Sequence, residues 1–442
     1  MNSDKNVIII GSGISGMGAA YALQKNGFNV TVLEKNGRVG GRMLSTEWHG
    51  TWIDLGAEYL SSKENKLFQL ITELGLSSRV IDYPTVGQVT FESWRNDSGH
   101  VVSLSKPLSM LTTAPFSVRG KIGLAKLIPM GIAHMVRAKL GSTHGHTLSV
   151  VSSDDEESLE SWLSRVHPDF LDYAIEPMHE FMWSHEPQQM SRGWALDFYV
   201  KHMRLDVCSL DEGYGLLPRV LATKLDVVTN ARVGSVIPGE ASVTVAWNQD
   251  GAEHRKDVDG VVVAVPGTQV KGMVQRLGTE RTKFFDGVRY SPQEIPFFKL
   301  DHEISGLPMM RLYSRREDPI LNAIIYTSPR PDGEKFLRAK LKAKYIKRDW
   351  QQSDDERMDA IEHEIARYFP EAVRAIEDRL LHRWEEALPI FYPGYTRSLK
   401  EFSDLPPIPG LVFAGDYLTG GDTGQAYQSG LWAAEELAKQ LN

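Results

Sequence analysis

Three observations predict an α/β fold in two domains. The first 34 residues read as strand, glycine turn, helix and strand, the chain ends with a strand and a long helix, and 442 residues exceed what one hydrophobic core usually serves. We expect a Rossmann-like nucleotide-binding domain assembled from separated segments, 1–79, 206–270 and 381–442. An α+β substrate-binding domain would comprise 80–205 and 271–380.

Composition is that of an ordinary acidic globular protein, with 42% apolar residues, 24% charged residues and a formal net charge of −8. This balance excludes a polybasic nucleic-acid-binding protein, so we expect no nucleic-acid partner. The single cysteine, Cys208, excludes a disulfide framework and a cysteine metal site and indicates a reducing compartment. The chain runs almost directly into a strand, without the long apolar run of a signal peptide, and we expect a cytoplasmic protein. The oligomeric state stays open.

The first strand and turn predict a dinucleotide site. Val7 to Ile10 form the continuous apolar run of a buried parallel strand, and Gly11, Gly13 and Gly16 follow in the pattern GxGxxG. The first glycine permits the turn, the second lets a pyrophosphate approach the backbone, and the third allows the helix to pack on the strand. Amides of the helix start, at Ile14 and Ser15, would bind the phosphates.

The second strand, Val30 to Leu33, ends at Glu34, which lies 23 residues after Gly11. An acid at this spacing is expected to bind a ribose hydroxyl pair. A glycine turn with a purely structural role is the alternative. NAD and FAD share this pattern, so other residues must decide between them.

The next stretches are EKNGRVGGRM at 34–43 and DLGAEYL at 54–60. With them the chain resembles the superfamily of flavin-containing amine oxidases, protoporphyrinogen oxidases and carotenoid-type desaturases, strongly at both ends and weakly in the middle. The resemblance implies that FAD is the cofactor. Its pyrophosphate would lie beside Arg38, Gly40, Gly41 and Arg42, and its ring near Gly56 and Ala57. Lys35 would also belong to the cofactor site. A solvated basic turn is the alternative for 34–43.

Three internal stretches support the resemblance. Residues 211–237 are similar to the family's turn, helix and strand that lead to a valine whose backbone meets the adenine, here Val233. The strand in 259–270 is similar to the one that returns the chain to the flavin. Residues 383–395 have the spacing found near the flavin in protoporphyrinogen oxidases, which would place Trp384 there; core packing is the alternative for this tryptophan.

The C-terminal stretch GLVFAGDYLTGGDTGQAYQSG, at 410–430, resembles the family's final strand, Gly-Asp step and helix. The resemblance implies that Gly415 and Asp416 meet the ribityl chain. The helix start would point at the pyrimidine edge of the ring, where its positive end stabilises the negative charge of the reduced flavin. The residues implied at this edge are Thr423, Gly424, Gln425 and Ala426.

Two features depart from an ordinary monoamine oxidase. Its aromatic pair would align near Ala387 or Leu388 and at Asp422, and neither position is aromatic. Its lysine near the flavin would align near Gln293 or Glu294, although a local shift of the alignment would bring Lys299 there. With no cysteine near the C-terminus for a thioether, we expect non-covalent FAD.

Two acids are candidates for catalysis. Glu58 follows the small-residue pair 56–57. It would either act catalytically on substrate or form hydrogen bonds with the cofactor or within the core. Asp422 replaces an aromatic residue and would act as a base. No metal site is expected, because the histidines are dispersed and the two of HGH at 144–146 belong to a polar loop.

The segment 98–153 contains no acidic residue, whereas basic residues punctuate its apolar runs. Such a segment fits either a face that contacts anionic lipid or helices that cover a substrate cavity. We favour the cavity, because loop signals and Pro129 interrupt the run.

These observations predict an FAD-dependent oxidoreductase, similar to the amine oxidases, that removes a hydride and a proton from a C–N unit of a fairly apolar small molecule. Molecular oxygen would reoxidise the flavin. The alternatives are a C–C desaturase or porphyrinogen-type oxidase, a non-catalytic flavin-bearing binding protein, and an NAD-dependent dehydrogenase.

Overall fold

The computed structural model describes residues 5–58, 60–61, 65–82, 90–95, 98–103, 116–123, 125, 129, 133, 155–202, 207–318, 320–331 and 333–442. Most of the basic segment 98–153, including the two histidines at 144–146, lies outside the described residues. Among the described residues, no helix is both long and apolar enough to cross a membrane.

The strands, in chain order, are β1 Asn6–Ile10, β2 Asn29–Leu33, β3 Ser45–Trp48, β4 Thr51–Asp54, β5 Leu60–Ser61, β6 Val80–Asp82, β7 Thr90–Arg95, β8 Ser98–Ser103, β9 Val207–Leu210, β10 Asp226–Val228, β11 Ala231–Pro238, β12 Val243–Gln249, β13 Ala252–Val258, β14 Gly260–Val263, β15 Tyr290–Leu300, β16 Met310–Leu312, β17 Leu321–Thr327, β18 Phe336–Leu341, β19 Ile376–Pro389 and β20 Leu411–Phe413.

The helices, in chain order, are α1 Ile14–Lys25, α2 Asn65–Glu73, α3 Leu159–Val166, α4 Pro168–Phe170, α5 Glu176–Trp183, α6 Arg192–His202, α7 Leu216–Ala222, α8 Gly267–Met273, α9 Thr279–Gly287, α10 Ala343–Arg348, α11 Asp354–Ala366, α12 Pro370–Arg374, α13 Tyr395–Ser403 and α14 Thr423–Leu441. A π-helical segment, Leu171–Ile175, precedes α5, and short 3₁₀ turns lie at Ser77–Arg79, Pro187–Gln189 and Asp416–Leu418.

A five-stranded parallel sheet forms the first layer, in the order β10-β2-β1-β14-β20. Its strands come from widely separated parts of the chain. The central strands β1 and β14 are buried almost throughout, as the apolar runs of a parallel sheet require. The prediction of a Rossmann-like domain assembled from separated segments is confirmed.

Helices α1 and α14 pack closely against each other beside this sheet. The approach depends on missing side chains: a Cβ at Gly430 would lie 2.0 Å from the carbonyl oxygen of Ser15. The small residues near the start of α1 and in the middle of α14 therefore let two helix backbones meet. This contact fixes the C-terminal helix next to the glycine turn.

A seven-stranded sheet forms the second domain, in the order β19-β15-β18-β17-β16-β7-β8. One face packs on α10, α11 and α12 through Leu337 and Leu341 of β18. The opposite face places Phe336 among Ile53 and Leu55 of the first domain. The α+β character of this domain is confirmed.

The predicted domain boundaries stay predictions, and one of them falls inside a single β-strand. Strand β19, Ile376–Pro389, pairs with β15 along most of its length and runs through the boundary placed between residues 380 and 381. The second domain thereby extends a strand into the region of the first.

Candidate active site

A cleft of about 610 Å³ is lined by residues of both large sheets. Most of the predicted site residues contribute to its wall: Gly11, Gly13, Ile14, Ser15, Glu34, Lys35, Gly41, Arg42, Gly56, Ala57, Glu58, Val233, Trp384, Gly415, Asp416, Asp422 and Ala426. Three predicted residues, Gly16, Gly424 and Gln425, lie outside it. The sequence thus brings distant segments to one place.

The glycine turn between β1 and α1 is built by close backbone contacts. A Cβ at Gly16 would lie 2.0 Å from the carbonyl oxygen of Gly11, which explains why Gly16 packs inside the turn and does not reach the cleft. Gly13 faces open space, with nothing within 4 Å of a Cβ built there. The backbone can therefore be approached closely at Gly13.

The start of α1 offers unused hydrogen-bonding groups. Gly13 is the N-cap and provides no side-chain acceptor for the first amides of the helix. The hydroxyl of Ser15 is buried and has no hydrogen-bond partner among the described residues. These donors fit the phosphate oxygens of a dinucleotide.

Glu34 has a second role that its spacing did not predict. Its Oε2 accepts hydrogen bonds from the amide and the hydroxyl of Ser12 at 3.0 and 2.6 Å. Its Oε1 accepts from the amide and the side-chain nitrogen of Asn36 at 2.9 and 2.8 Å. About four acceptor positions are thus used within the protein, and Glu34 fixes the shape of the turn.

Arg42 connects the turn after β2 with the C-terminal Gly-Asp step. Its Nη1 donates to Asp416 Oδ2 and to the carbonyl oxygen of Ala387, both at 2.7 Å. Burial opposes the charge of Arg42, yet the Asp416 carboxylate holds the pKa of this guanidinium above its ordinary value.

Asp416 is held by two further donors. Its Oδ1 accepts from the hydroxyl of Tyr290 at 2.9 Å and from the amide of Tyr417 at 3.0 Å. With Arg42 these donors occupy three of about four acceptor positions, so a cofactor hydroxyl can take the remaining one on Oδ2. Tyr290 was not found by sequence reasoning, because nothing near it in sequence points to Asp416.

Trp384 combines the two roles that were considered for it. Its indole nitrogen donates to the carbonyl oxygen of Leu55 at 2.5 Å, and its ring packs against the cluster containing Phe336. It also lines the cleft. The small-residue pair nearby is required by packing, since a Cβ at Gly56 would lie 1.9 Å from the carbonyl oxygen of Arg42.

The start of α14 differs from the expectation. Asp422 is the N-cap residue, and its Oδ1 accepts from the amide of Gln425 at 2.7 Å. The Gln425 amide that was expected to face the flavin is therefore engaged by Asp422, and Gly424 and Gln425 lie outside the cleft lining. Asp422, Thr423 and Ala426 are the residues of the helix start that line the cleft.

Glu58 and the lysine positions also differ from the sequence-based hypotheses. Glu58 forms a two-pronged ion pair with Arg338, whose Nη1 lies 3.2 Å from Oε2 and whose Nη2 contacts Oε1. This pairing disfavours a role for Glu58 as a free base. Lys299 binds Glu377 at 3.0 Å and is not among the residues lining the cleft, so a shifted alignment does not place it there.

A different lysine enters the cleft. Lys340 lies on β18, two residues after Arg338, and both side chains line the cavity. The sequence contained a signal for this: in FLRAKL the charged residues alternate with apolar ones, so both charges share one face of the strand. Burial lowers the pKa of the Lys340 ammonium to about 8.

The family model for flavin-containing amine oxidoreductases matches residues 14–438. The chain belongs to this family.

Among its relatives, protoporphyrinogen oxidase 2, chloroplastic/mitochondrial, of Arabidopsis thaliana is 28% identical over 215 residues, which cover 48% of this chain and 38% of that relative. Putrescine oxidase bound to putrescine superposes with a TM-score of 0.77 at 18% identity, covering 98% of this chain and 99% of that one. Cyclohexylamine oxidase from Brevibacterium oxydans gives 0.77 at 16% identity, with 99% of each chain covered. At these identities the two structures establish the fold alone.

Membership of the flavin-containing amine oxidoreductases confirms the FAD prediction, and the cleft fits this cofactor by its own chemistry. The donors of α1 suit the pyrophosphate, Val233 and Glu34 line the cleft near the end of β2, and Asp416 retains an acceptor position. Cys208 lies on β9, paired with β5 and β6, and is not among the residues lining the cleft. This position agrees with FAD held without a thioether.

Proposed function

We propose that this protein is an FAD-dependent oxidoreductase that removes a hydride and a proton from a C–N unit of a fairly apolar small molecule, with molecular oxygen as the oxidant of the reduced flavin. One observation carries the proposal: a single cleft joins the glycine turn and Gly-Asp step of the first domain to an aromatic chamber. The chamber is formed by Phe181, Trp183 and Phe198.

Bound FAD supplies the two-electron chemistry. The amides at the start of α1 would bind the pyrophosphate, and Asp416, oriented by Arg42 and Tyr290, would accept a hydrogen bond from the ribityl chain. The N-terminus of α14, capped by the Asp422 carboxylate, would face the ring edge and place its positive end there. We also propose that the boundaries between the FAD-binding and substrate-binding domains lie at residues 79/80, 205/206, 270/271 and 380/381.

The aromatic chamber binds the apolar body of the substrate and excludes water. The rings of Trp183 and Phe198 meet edge to face with their centroids 4.8 Å apart, which gives a rigid wall. Two acids of this region are paired with arginines: Arg357 Nε binds both oxygens of Glu294 at 2.8 and 2.9 Å, and Arg338 binds Glu58. A substrate amine would therefore be bound in its neutral form, ready to lose a hydride.

A second candidate is a C–C desaturase or porphyrinogen-type oxidase. The match to the Arabidopsis protoporphyrinogen oxidase favours it, as do Ala387, Leu388 and Asp422, which line the cleft where an amine oxidase would carry aromatic residues. A flavin-bearing protein without turnover is the non-enzymatic alternative.

The spectrum of the purified protein separates these candidates. We expect an oxidised-flavin spectrum that bleaches under anaerobic conditions on addition of an amine, and peroxide formation when air is admitted. Bleaching by protoporphyrinogen but by no amine would establish the second candidate, and a spectrum that no donor bleaches would establish the binding protein. Absence of flavin after reconstitution with FAD would overturn all three.

We place the protein in the cytoplasm as part of the proposal, on the single half-buried cysteine and the acidic composition. Its partners would be a small-molecule substrate and oxygen, without nucleic acid. For the segment 98–153 we prefer helices that cover the substrate cavity over a face that contacts a membrane.

A further inference from the structure

Strand β18 carries two cations into the substrate end of the cleft. Its alternating side chains separate into two faces: Leu337 and Leu341 pack in the core beneath the sheet, while Arg338 and Lys340 line the cavity. The strand therefore delivers positive charge to the same place as the aromatic chamber.

The two cations are partnered differently. Arg338 is neutralised by its ion pair with Glu58. The Lys340 ammonium donates to the main-chain carbonyl oxygen of Phe181 and lies 4.8 Å from the centroid of the Phe181 ring. Within the described part of the chain, no carboxylate forms an ion pair with it.

A neighbouring buried lysine with a structural role, Lys342, is paired with a carboxylate. Lys342, the next residue but one, binds Glu176 Oε1 at 2.6 Å and the carbonyl oxygen of Tyr313 at 3.1 Å. A charge removed from water is costly unless an opposite charge accompanies it. Among the described residues, Lys340, which faces the cavity, has no carboxylate in direct contact; Glu58 and Glu180 act on it only through space.

We propose that Lys340 binds an acidic group of the substrate, so that the preferred substrate combines an apolar body with one carboxylate. The aromatic rings of Phe181, Trp183 and Phe198 hold the body, and the ammonium forms a charge-assisted hydrogen bond with the carboxylate. Because Arg338 is already paired with Glu58, the ammonium of Lys340 is left to bind a single carboxylate of the substrate. The inference concerns the substrate of the proposed oxidoreductase and rests on that function for turnover, although not for binding.

Binding of benzoate and of benzamide to the FAD-loaded protein tests this without turnover. The two probes have nearly the same shape and differ in charge. By isothermal titration calorimetry we expect benzoate to bind at least about 10-fold more tightly than benzamide, as a hydrogen bond to a charged group suggests. Equal affinities in the unmodified protein would overturn the proposal before any variant is made.

Substitutions at Lys340 test whether this side chain causes the preference for benzoate. Lys340→Met should abolish the preference for benzoate and leave benzamide binding within about 2-fold, while Lys340→Arg should keep the preference. Lys335→Met is the matched control, because Lys335 is an exposed lysine just before β18 that binds Glu303. A preference that survives in Lys340→Met, or is lost in Lys335→Met, would contradict the assignment.

Turnover separates this inference from the proposed function. With 4-(aminomethyl)benzoate and benzylamine as donors, Lys340→Met should raise KM for the acid at least about 10-fold and change KM for benzylamine little. Failure of both amines to reduce the flavin would refute amine oxidation while the benzoate result stands. An equal fall in kcat for both amines with unchanged KM would assign Lys340 to proton transfer and refute anion binding.

Discussion

At the scale of single residues, the cofactor cleft is organised by carboxylates that hold backbone turns. Glu34 ties Ser12 to Asn36, and Asp416 ties Arg42 to Tyr290. Each carboxylate uses most of its acceptor positions on protein donors. These residues therefore shape the binding surface in addition to any contact with the cofactor.

Replacing Glu34 tests this dual role. Glu34→Gln keeps the size of the side chain but turns one acceptor oxygen into a donor, so contacts with Ser12 or Asn36 that hold the turn are lost. The FAD affinity of the apoprotein should then fall roughly 10- to 100-fold, the size expected for a hydrogen bond to a charged group. Fluorescence titration of apoprotein with FAD measures it. Glu47→Gln, on the exposed surface of β3, is the control. Unchanged affinity in Glu34→Gln would refute both roles.

Glu180 gives a pH-dependent contribution to stability. Burial raises the pKa of this carboxyl to about 7, against the opposing charge of Lys342 and with support from Glu176 and Glu186. Because the folded pKa exceeds the unfolded value of about 4.3, the stabilisation is complete below that value and is lost as the pH rises through about 7. Burial keeps Glu180 protonated at low pH.

We therefore expect Glu180→Gln to gain thermal stability relative to the unmodified protein as the pH is raised from 5 to 8. Differential scanning calorimetry of both proteins measures the change in the difference between their Tm values. The subtraction removes the contribution of His179 and His185, whose pKa values are lowered by burial and which act in the opposite direction. A Tm difference independent of pH would contradict this assignment.

At the scale of elements, the sequence allowed the βαβ unit to be predicted because its signals are local: an apolar run, three glycines and an acid at fixed spacing. The alternation in FLRAKL predicts that Arg338 and Lys340 share one strand face, but not that this face lines the cleft, because that depends on which strands pair across the seven-stranded sheet. Asp422 is a different case. An aspartate directly before a helix is a capping signal in the sequence, and the interpretation as a replaced aromatic residue passed over it.

Two substitutions separate capping from catalysis at Asp422. Asp422→Asn preserves the cap, whereas Asp422→Ala removes it and should cost about 1 kcal/mol. We therefore expect a lower Tm only in the alanine variant. If Asp422 is also the base, the asparagine variant should bind FAD normally and reduce it 10²–10⁴-fold more slowly, a range of roughly the size typical for loss of a general base. An unchanged anaerobic reduction rate in that variant would leave Asp422 with the cap alone.

At the scale of the whole molecule, the cofactor cleft is closed by contacts between distant segments and requires no covalent attachment. The Arg42, Asp416 and Tyr290 side chains link three such segments. The only cysteine is on β9, where it pairs with β5. Unfolding should separate these segments and release the cofactor.

Heat or acid should therefore release intact FAD into the supernatant. Absorbance and fluorescence of the supernatant after removal of the precipitated chain measure the yield, and chromatography identifies FAD. Flavin that stays with the precipitate would indicate a covalent bond through another residue. A protein that is colourless before treatment would need reconstitution first.

The long strand β19 has a mechanical consequence. It runs from the outer edge of the seven-stranded sheet to the wall of the cofactor cleft, where its Ala387 carbonyl meets Arg42, and its register against β15 shifts near each end, once between Trp384 and Leu388. The regularly paired stretch from Asp378 to Trp384 should resist bending, because bending there would break several ladder bonds at once. The seven-stranded sheet and the wall of the cofactor cleft thus share one continuous strand. We therefore expect substrate to enter through rearrangement of side chains or loops at the mouth of the cleft.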